Sequence, residues 1–147
     1  MTKVTYFMRK FDDSLPLRLL KAREAAMGFF RPLLQEIPLT EQQWRVIRAL
    51  NEFEELESKQ LAELCCILSP SLTGIINRLE QLGYINRRKS TEDQRRTLIS
   101  LTDKAKEMFA TMSPRLEARY QEMTERFSQE DMEKLEDLLI KFCDVKP

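Results

Sequence analysis

The chain has 147 residues, with 24 Lys and Arg balanced by 24 Asp and Glu, no histidine, three glycines and three cysteines. That length is one domain's worth of chain and can bury a real core without disulfides or metal. Without histidine there is no Ser-His-Asp or Cys-His machinery and no His-containing zinc site, and glycines scattered at 28, 74 and 83 cannot form a phosphate-cradling loop. Cys65, Cys66 and Cys143 are odd in number and lack C-x-x-C spacing, which argues against a disulfide framework. The first thirty residues hold no uninterrupted apolar run resembling a signal peptide, and no stretch is long enough to span a bilayer. A reduced, cytoplasmic, non-enzymatic protein is expected, with no metal, no cofactor and no membrane partner.

Low Gly and Pro content and apolar spacings of three and four predict a mostly helical chain. Residues 14–36 read as a first helix with Leu20, Met27, Phe30 and Leu34 on one face, ended by Pro38. Thr40-Glu41-Gln42-Gln43 is a capping-box pattern, in which Thr accepts a backbone N–H and Gln reaches back, and it opens a helix through Trp44, Ile47 and Leu50. The acidic run Glu52, Glu54, Glu55 and Glu57 reads as a solvated connection.

From Ser58 the elements shorten: an eight-residue helix, a break near Ile67 and Leu68, then a second helix opened by Ser69-Pro70, with serine as its cap. That helix turns Leu72, Ile75, Ile76, Leu79 and Leu82 inward. Ser71, Thr73, Gly74, Asn77, Arg78 and Gln81 face outward, and Gly83 stops it. Residues 84–89 and 97–101 are strand-like runs joined by the polar loop 90–96, a hairpin with a long tip. Thr102 then caps a long segment striped by Phe109, Met112, Leu116, Tyr120, Met123 and Phe127, in which Pro114 predicts a kink or a break. Ser128 opens a last helix expected to bury Met132, Leu135, Leu138, Leu139 and Phe142.

Helix, turn, helix and an arginine-tipped hairpin is the order of a winged helix-turn-helix, so the fold class is mainly α with a small β-hairpin. Segment charges agree. Residues 69–101 hold six cations (Arg78, Arg87, Arg88, Lys89, Arg95, Arg96) against Glu80, Glu92 and Asp93, a balance of +3, whereas residues 102–147 sum to −3. Ser, Thr, Asn and Arg on an exposed helix can bond base edges and phosphates in a major groove, and arginine at a hairpin tip can enter a narrow minor groove.

Trp44 and Arg48, four apart on one helix, suggest a site for an aromatic ring with an anionic end, walled by Met27, Phe30 and Leu34 and by Leu116 and Tyr120. Stripes at that spacing also pack cores, so both readings stand on spacing alone. Two further alternatives are a thiol redox sensor using Cys65 and Cys66, and a helical adaptor that binds no DNA. The adaptor leaves the arginine-tipped hairpin unexplained.

The motifs QLAEL (60–64), SLT (71–73), RLEQLGYI (78–85), DQRR (93–96) and ISLT (99–102), in this order, resemble the MarR family of winged-helix transcriptional regulators over nearly the whole chain. KAREA (21–25), FRP (30–32), LTEQQWR (39–45) and CILSPSLTG (66–74) are similar to its subgroup that represses homoprotocatechuate (4-hydroxyphenylacetate) degradation operons. Ser69 departs from the arginine that relatives commonly carry there, and Pro114 is a second departure.

The resemblance implies a homodimer in which residues 1–36 and 102–147 form an intertwined helical dimerisation region, with residues 37–101 as the DNA-binding region on a palindromic double-stranded operator. Long apolar stripes on the terminal helices favour dimerisation independently. The resemblance also implies DNA contacts from Ser69, Ser71, Thr73, Asn77 and Arg78 on the recognition helix. From the wing it implies contacts from Lys89, Asp93, Gln94, Arg95 and Arg96, with Asp93 pairing Arg95. It further implies an effector pocket between the dimer helices and the DNA-binding lobe, where Arg48 and Tyr120 hold a carboxylate. Ser14 donates there from the other subunit, and Trp44, Met27 and Phe30 pack the ring. An aromatic carboxylate such as 4-hydroxyphenylacetate is the expected effector, releasing a repressor from an aromatic-acid catabolic operon.

Overall fold

A computed structural model describes residues 8–147, so the first seven residues of the expected 1–36 segment lie outside the described residues. The order is α1 (Leu15–Leu34), α2 (Glu41–Phe53), β1 (Glu55–Leu56), α3 (Ser58–Cys65), α4 (Ser69–Gln81), β2 (Ile85–Lys89), β3 (Thr97–Leu101), α5 (Asp103–Phe127) and α6 (Gln129–Cys143), with a short 3-10 turn at Phe11–Asp13. Two compact units result, one of residues 32–118 and one made of the segments up to Arg31 and from Arg119 onward.

In the 32–118 unit, α2 opens as its sequence requires. Thr40 Oγ1 accepts the Gln43 amide at 3.2 Å while Gln43 Oε1 accepts the Thr40 amide at 3.0 Å, which satisfies two otherwise orphaned donors. The helix buries Trp44, Val46, Ile47 and Leu50. Helix α3 adds Leu61, Ala62 and Cys65, and α4 adds Leu72, Ile75, Ile76 and Leu79. Val46, Ile47, Leu61, Leu79, Ile99 and Ala105 are wholly removed from solvent. Each large aliphatic in that set gains about 1.5–3 kcal/mol from burial. Helix α3 ends on Cys66 in the left-handed conformation, φ 53°, and Gly83, φ 79°, turns the chain after α4.

Three corrections to the sequence reading arise here. The acidic connection contains a strand: Glu55–Leu56 pairs antiparallel with β3, Leu56 opposite Ile99, so the hairpin is part of a three-stranded sheet ordered β1-β3-β2. A two-residue strand is too short to show alternation, so its partner rather than its own pattern determines it. Ser69 is the first residue of α4 and not its cap. Leu68 occupies the cap position without a side-chain bond, and the Ser69 carbonyl instead accepts the Thr73 hydroxyl at 3.2 Å. Pro114 does not split its helix, since α5 runs unbroken from Asp103 to Phe127.

The β2–β3 register sets Ile85 opposite Leu101 and Lys89 opposite Thr97. Thr102 closes the sheet onto α5: its hydroxyl donates to the Gly83 carbonyl at 2.6 Å and accepts the Ala105 amide at 3.2 Å. Helix α1 ends at Leu34, two residues before the expected boundary, because the chain tightens into a turn over residues 35–38.

The other unit is built differently. Ser128 caps α6 by accepting the Asp131 amide at 3.1 Å, as its sequence predicts. Of the residues expected to be buried on α6, only Met132 is, whereas Leu135, Leu138, Leu139 and Phe142 are exposed. The periodicity correctly places them on an apolar stripe, but the described residues leave that stripe partly exposed. Phe30 and Tyr120 approach with ring centroids 6.3 Å apart, and the Arg126 guanidinium sits 5.7 Å from the Phe29 ring. No helix among the described residues is long and apolar enough to cross a membrane.

Candidate nucleic-acid interface

Helix α4 buries one side in the three-helix core, which leaves Ser69, Ser71, Thr73, Asn77 and Arg78 exposed together. Arg78 makes no ion pair, and the Ser71 hydroxyl is free of side-chain bonds, among the described residues. Glu80, the one acid on this helix, is occupied by Arg87 Nε at 3.1 Å. The same guanidinium donates to the Asn77 side-chain oxygen, so Asn77 is held by β2.

The wing is ordered by its own side chains. Ser90 is buried, and its hydroxyl accepts the amides of Glu92 at 3.3 Å and Asp93 at 3.4 Å. Asp93 Oδ1 accepts the Arg95 amide at 3.1 Å and its Nε at 3.2 Å, which fixes the turn. The Arg95 guanidinium beside it holds the Asp93 carboxyl below its usual range. Even so paired, the Arg95 side chain is 91% exposed, aimed away from the body of the unit. Lys89 Nζ donates to Thr97 Oγ1 at 3.3 Å, and Gln94 is exposed at the tip.

Two partners of the wing were invisible in the sequence. Arg88 forms a bidentate pair with Glu55, both bonds 2.8 Å, reaching across β3 from the far strand. The Arg88 guanidinium bonded to Glu55 lowers the Glu55 pKa from its usual value. Arg96 pairs with Glu57, whose amide is fixed by Gln60 Oε1 at 2.9 Å at the start of α3. Only the pairing of β1 with β3 brings these residues, more than thirty positions apart, into contact, and nothing local in either segment announces it.

The expected effector residues fall in both units. Among residues 32–118, Leu34 and Trp44 are buried, Leu116 is half-buried and Arg48 is exposed. Trp44 stacks on Phe109, centroids 5.5 Å apart and planes 15° apart, so its ring is committed to the core and does not share an open face with Arg48. A four-residue spacing aligns the two side chains along the helix, but the depth of the neighbouring elements decides which is covered. In the other unit, Met27 and Phe30 are half-buried, Tyr120 donates its hydroxyl to Glu136, and Ser14 Oγ accepts the Leu17 amide at 3.4 Å where α1 begins.

Cys65 is buried, and burial pushes its thiol pKa up, which disfavours the thiolate a redox sensor needs. No group of three or more potential metal ligands occurs among the described residues.

A three-helix core whose last helix presents an exposed polar face, followed by a wing with an exposed arginine at its tip, defines a winged helix-turn-helix regulator. The MarR family model matches residues 39–97. The chain is 43% identical over 130 residues to the homoprotocatechuate degradative operon repressor of Escherichia coli, covering 88% of each chain. Its fold superposes on the crystal structure of transcriptional regulator PA4135 with a TM-score of 0.85 and 51% identity, covering 91% of this chain and 98% of that one. It also superposes on NadR in complex with 4-hydroxyphenylacetate with a TM-score of 0.80 and 38% identity, covering 96% and 100%. The chain belongs to the MarR family of transcriptional regulators and is not an enzyme.

Proposed function

We propose that this chain is a cytoplasmic repressor of an aromatic-acid catabolic operon, that it binds a palindromic operator as a homodimer, and that an aromatic carboxylate such as 4-hydroxyphenylacetate releases it. Residues 37–101 form the DNA-binding region and the helices of 1–36 and 102–147 the dimerisation region. Helix α4 lies in the major groove and reads or positions DNA through Ser69, Ser71, Thr73, Asn77 and Arg78. The wing approaches the minor groove with Arg95 and Arg96, supported by Lys89, Asp93 and Gln94. The observation that carries this reading is the outward face of α4, polar along its length and with its single acid already paired to Arg87.

Asp93 acts by positioning: by bonding both the amide and the guanidinium of Arg95 it reduces the conformational freedom lost when the tip meets DNA. Dimerisation is supported by the exposed stripe on α6, where Leu138 is 64% and Phe142 47% exposed. A second copy would bury it and set two recognition helices at a fixed spacing, which a palindrome mirrors.

For the effector, Arg48 is the candidate carboxylate anchor because it is an exposed cation without an ion pair among the described residues. Tyr120 and Ser14 are further polar candidates, with Met27, Phe30, Leu34, Trp44 and Leu116 as apolar ones, each to be tested by its own alanine substitution. The likeness to NadR bound to 4-hydroxyphenylacetate supports that ligand class. Release requires the ligand to favour the conformation that does not fit DNA, since equal affinity for both shifts nothing.

The test is a titration of the chain's own upstream intergenic DNA at two salt concentrations, with and without 4-hydroxyphenylacetate. Steep weakening with salt and release by the ligand are expected. Binding that ignores the ligand, together with no calorimetric binding of it, would remove the effector assignment while leaving the DNA reading intact.

A further inference from the structure

The sequence gives the wing region a surplus of cations, yet each of its four hairpin arginines is matched to a carboxylate: Arg87 to Glu80, Arg88 to Glu55, Arg95 to Asp93 and Arg96 to Glu57. Two of these acids, Glu55 and Glu57, come from the segment between α2 and α3, outside both the recognition helix and the hairpin. They flank Leu56, whose pairing opposite Ile99 sets them beside the wing. Their geometry is directed. The Glu55 carboxylate takes both Nε and Nη2 of Arg88, and Glu57 is anchored at its amide by Gln60 while its carboxylate holds Arg96.

We infer that Glu55 and Glu57 are specificity-determining residues of this regulator: they ion-pair Arg88 and Arg96 in the free protein and so withhold two cations from the phosphates of non-operator DNA. The inference rests on the DNA-binding reading above. Phosphate attraction is sequence-independent and dominates non-specific affinity, whereas operator contacts by α4 add on top of it. A paired guanidinium must give up its carboxylate before meeting a phosphate, so it contributes little on random sequence. On the operator, the base contacts of α4 supply the affinity while both ion pairs stay closed, Arg96 bonding Glu57 through Nε and keeping its other N–H groups for the DNA. Pairing these arginines therefore lowers affinity for wrong DNA more than for right DNA, which is the requirement for discrimination.

The experiment measures binding of the full-length wild type, Glu57→Gln, Glu55→Gln and the charge control Glu63→Gln to an operator duplex and to a random-sequence duplex across a salt series. Glu63 lies exposed on α3 and makes no ion pair among the described residues. Glu57→Gln and Glu55→Gln are each expected to raise random-duplex affinity about fivefold and to steepen the salt slope by about 0.9, the signature of one additional phosphate contact. Operator affinity should change less than twofold, and Glu63→Gln should do neither. In an Arg96→Ala background the effect of Glu57→Gln should vanish.

Random-duplex affinity that is unchanged or lower in both glutamine variants overturns the inference, as does an equal rise in the Glu63→Gln control or persistence of the effect without Arg96. If Glu57→Gln fails to fold, Arg96→Ala alone decides the question. Near wild-type random-duplex affinity with weakened operator binding supports the inference, and equal loss on both duplexes overturns it. A wild type that binds neither duplex refutes the DNA-binding reading itself, a result distinct from all of these.

Discussion

The two units of this chain solve the burial problem in opposite ways. Residues 32–118 hold a core in which Val46, Ile47, Leu61, Leu79, Ile99 and Ala105 see no solvent, drawn from helices and sheet alike. Among the described residues of the other unit only Thr124 and Met132 are buried, although Leu20, Leu138, Ile140 and Val145 are as apolar as anything in the first. The first unit can account for its own order. The second leaves Leu138 and Phe142 exposed along α6, a face that the proposed homodimer would cover.

That contrast can be broken by substitutions matched across it. Leu79→Ala, in the closed core, is expected to cost about 3 kcal/mol through lost transfer energy and a cavity, read as a fall in the urea midpoint independent of protein concentration. Leu138→Glu together with Phe142→Glu should leave secondary structure intact but shift sedimentation toward monomer and weaken operator binding more than tenfold. A double variant that sediments as wild type would show that the α6 stripe is not the contact. Smaller again, Thr40→Ala removes the reciprocal cap of α2 and should cost about 1 kcal/mol, lowering Tm by several degrees.

The smallest expected effect concerns pH. Arg88 lowers the folded pKa of Glu55 and Arg95 that of Asp93, from ordinary values of 4.5 and 3.8. Because the folded values are depressed, these pairs stabilise the fold fully above the ordinary values, and the contribution is lost as pH falls through and below them. Urea midpoints measured from pH 6 to pH 3 should therefore drop less steeply in Glu55→Gln than in wild type. Equal slopes would show that the exposed pair contributes nothing.

Much of the fold was legible because its signals are local. The Thr40 box, the α3 and α4 boundaries, Gly83 and the inward set Leu72, Ile75, Ile76 and Leu79 all follow from neighbours within one or two turns. What was not legible depended on distant partners. Strand β1 exists only because β3 lies beside it, and Arg88 and Arg96 find Glu55 and Glu57 only after that pairing. The sequence could show that Leu138 and Phe142 share a stripe, but not how far the other described residues leave it exposed. The depth of Trp44 belongs to the same class, because it is set by Phe109, far along the chain.

Helices α1 and α5 are the two elements that contribute residues to both units, and each contains a proline, Pro32 and Pro114. Proline has no N–H, so the carbonyls four residues earlier, on Gly28 and Ala110, lose their helical donors and each ladder misses a rung. Deuterium uptake should register those gaps as faster amide exchange around residues 28–32 and 110–114 than in the rest of either helix. Replacing each proline with alanine should slow exchange there and leave the centre of α4 unaffected.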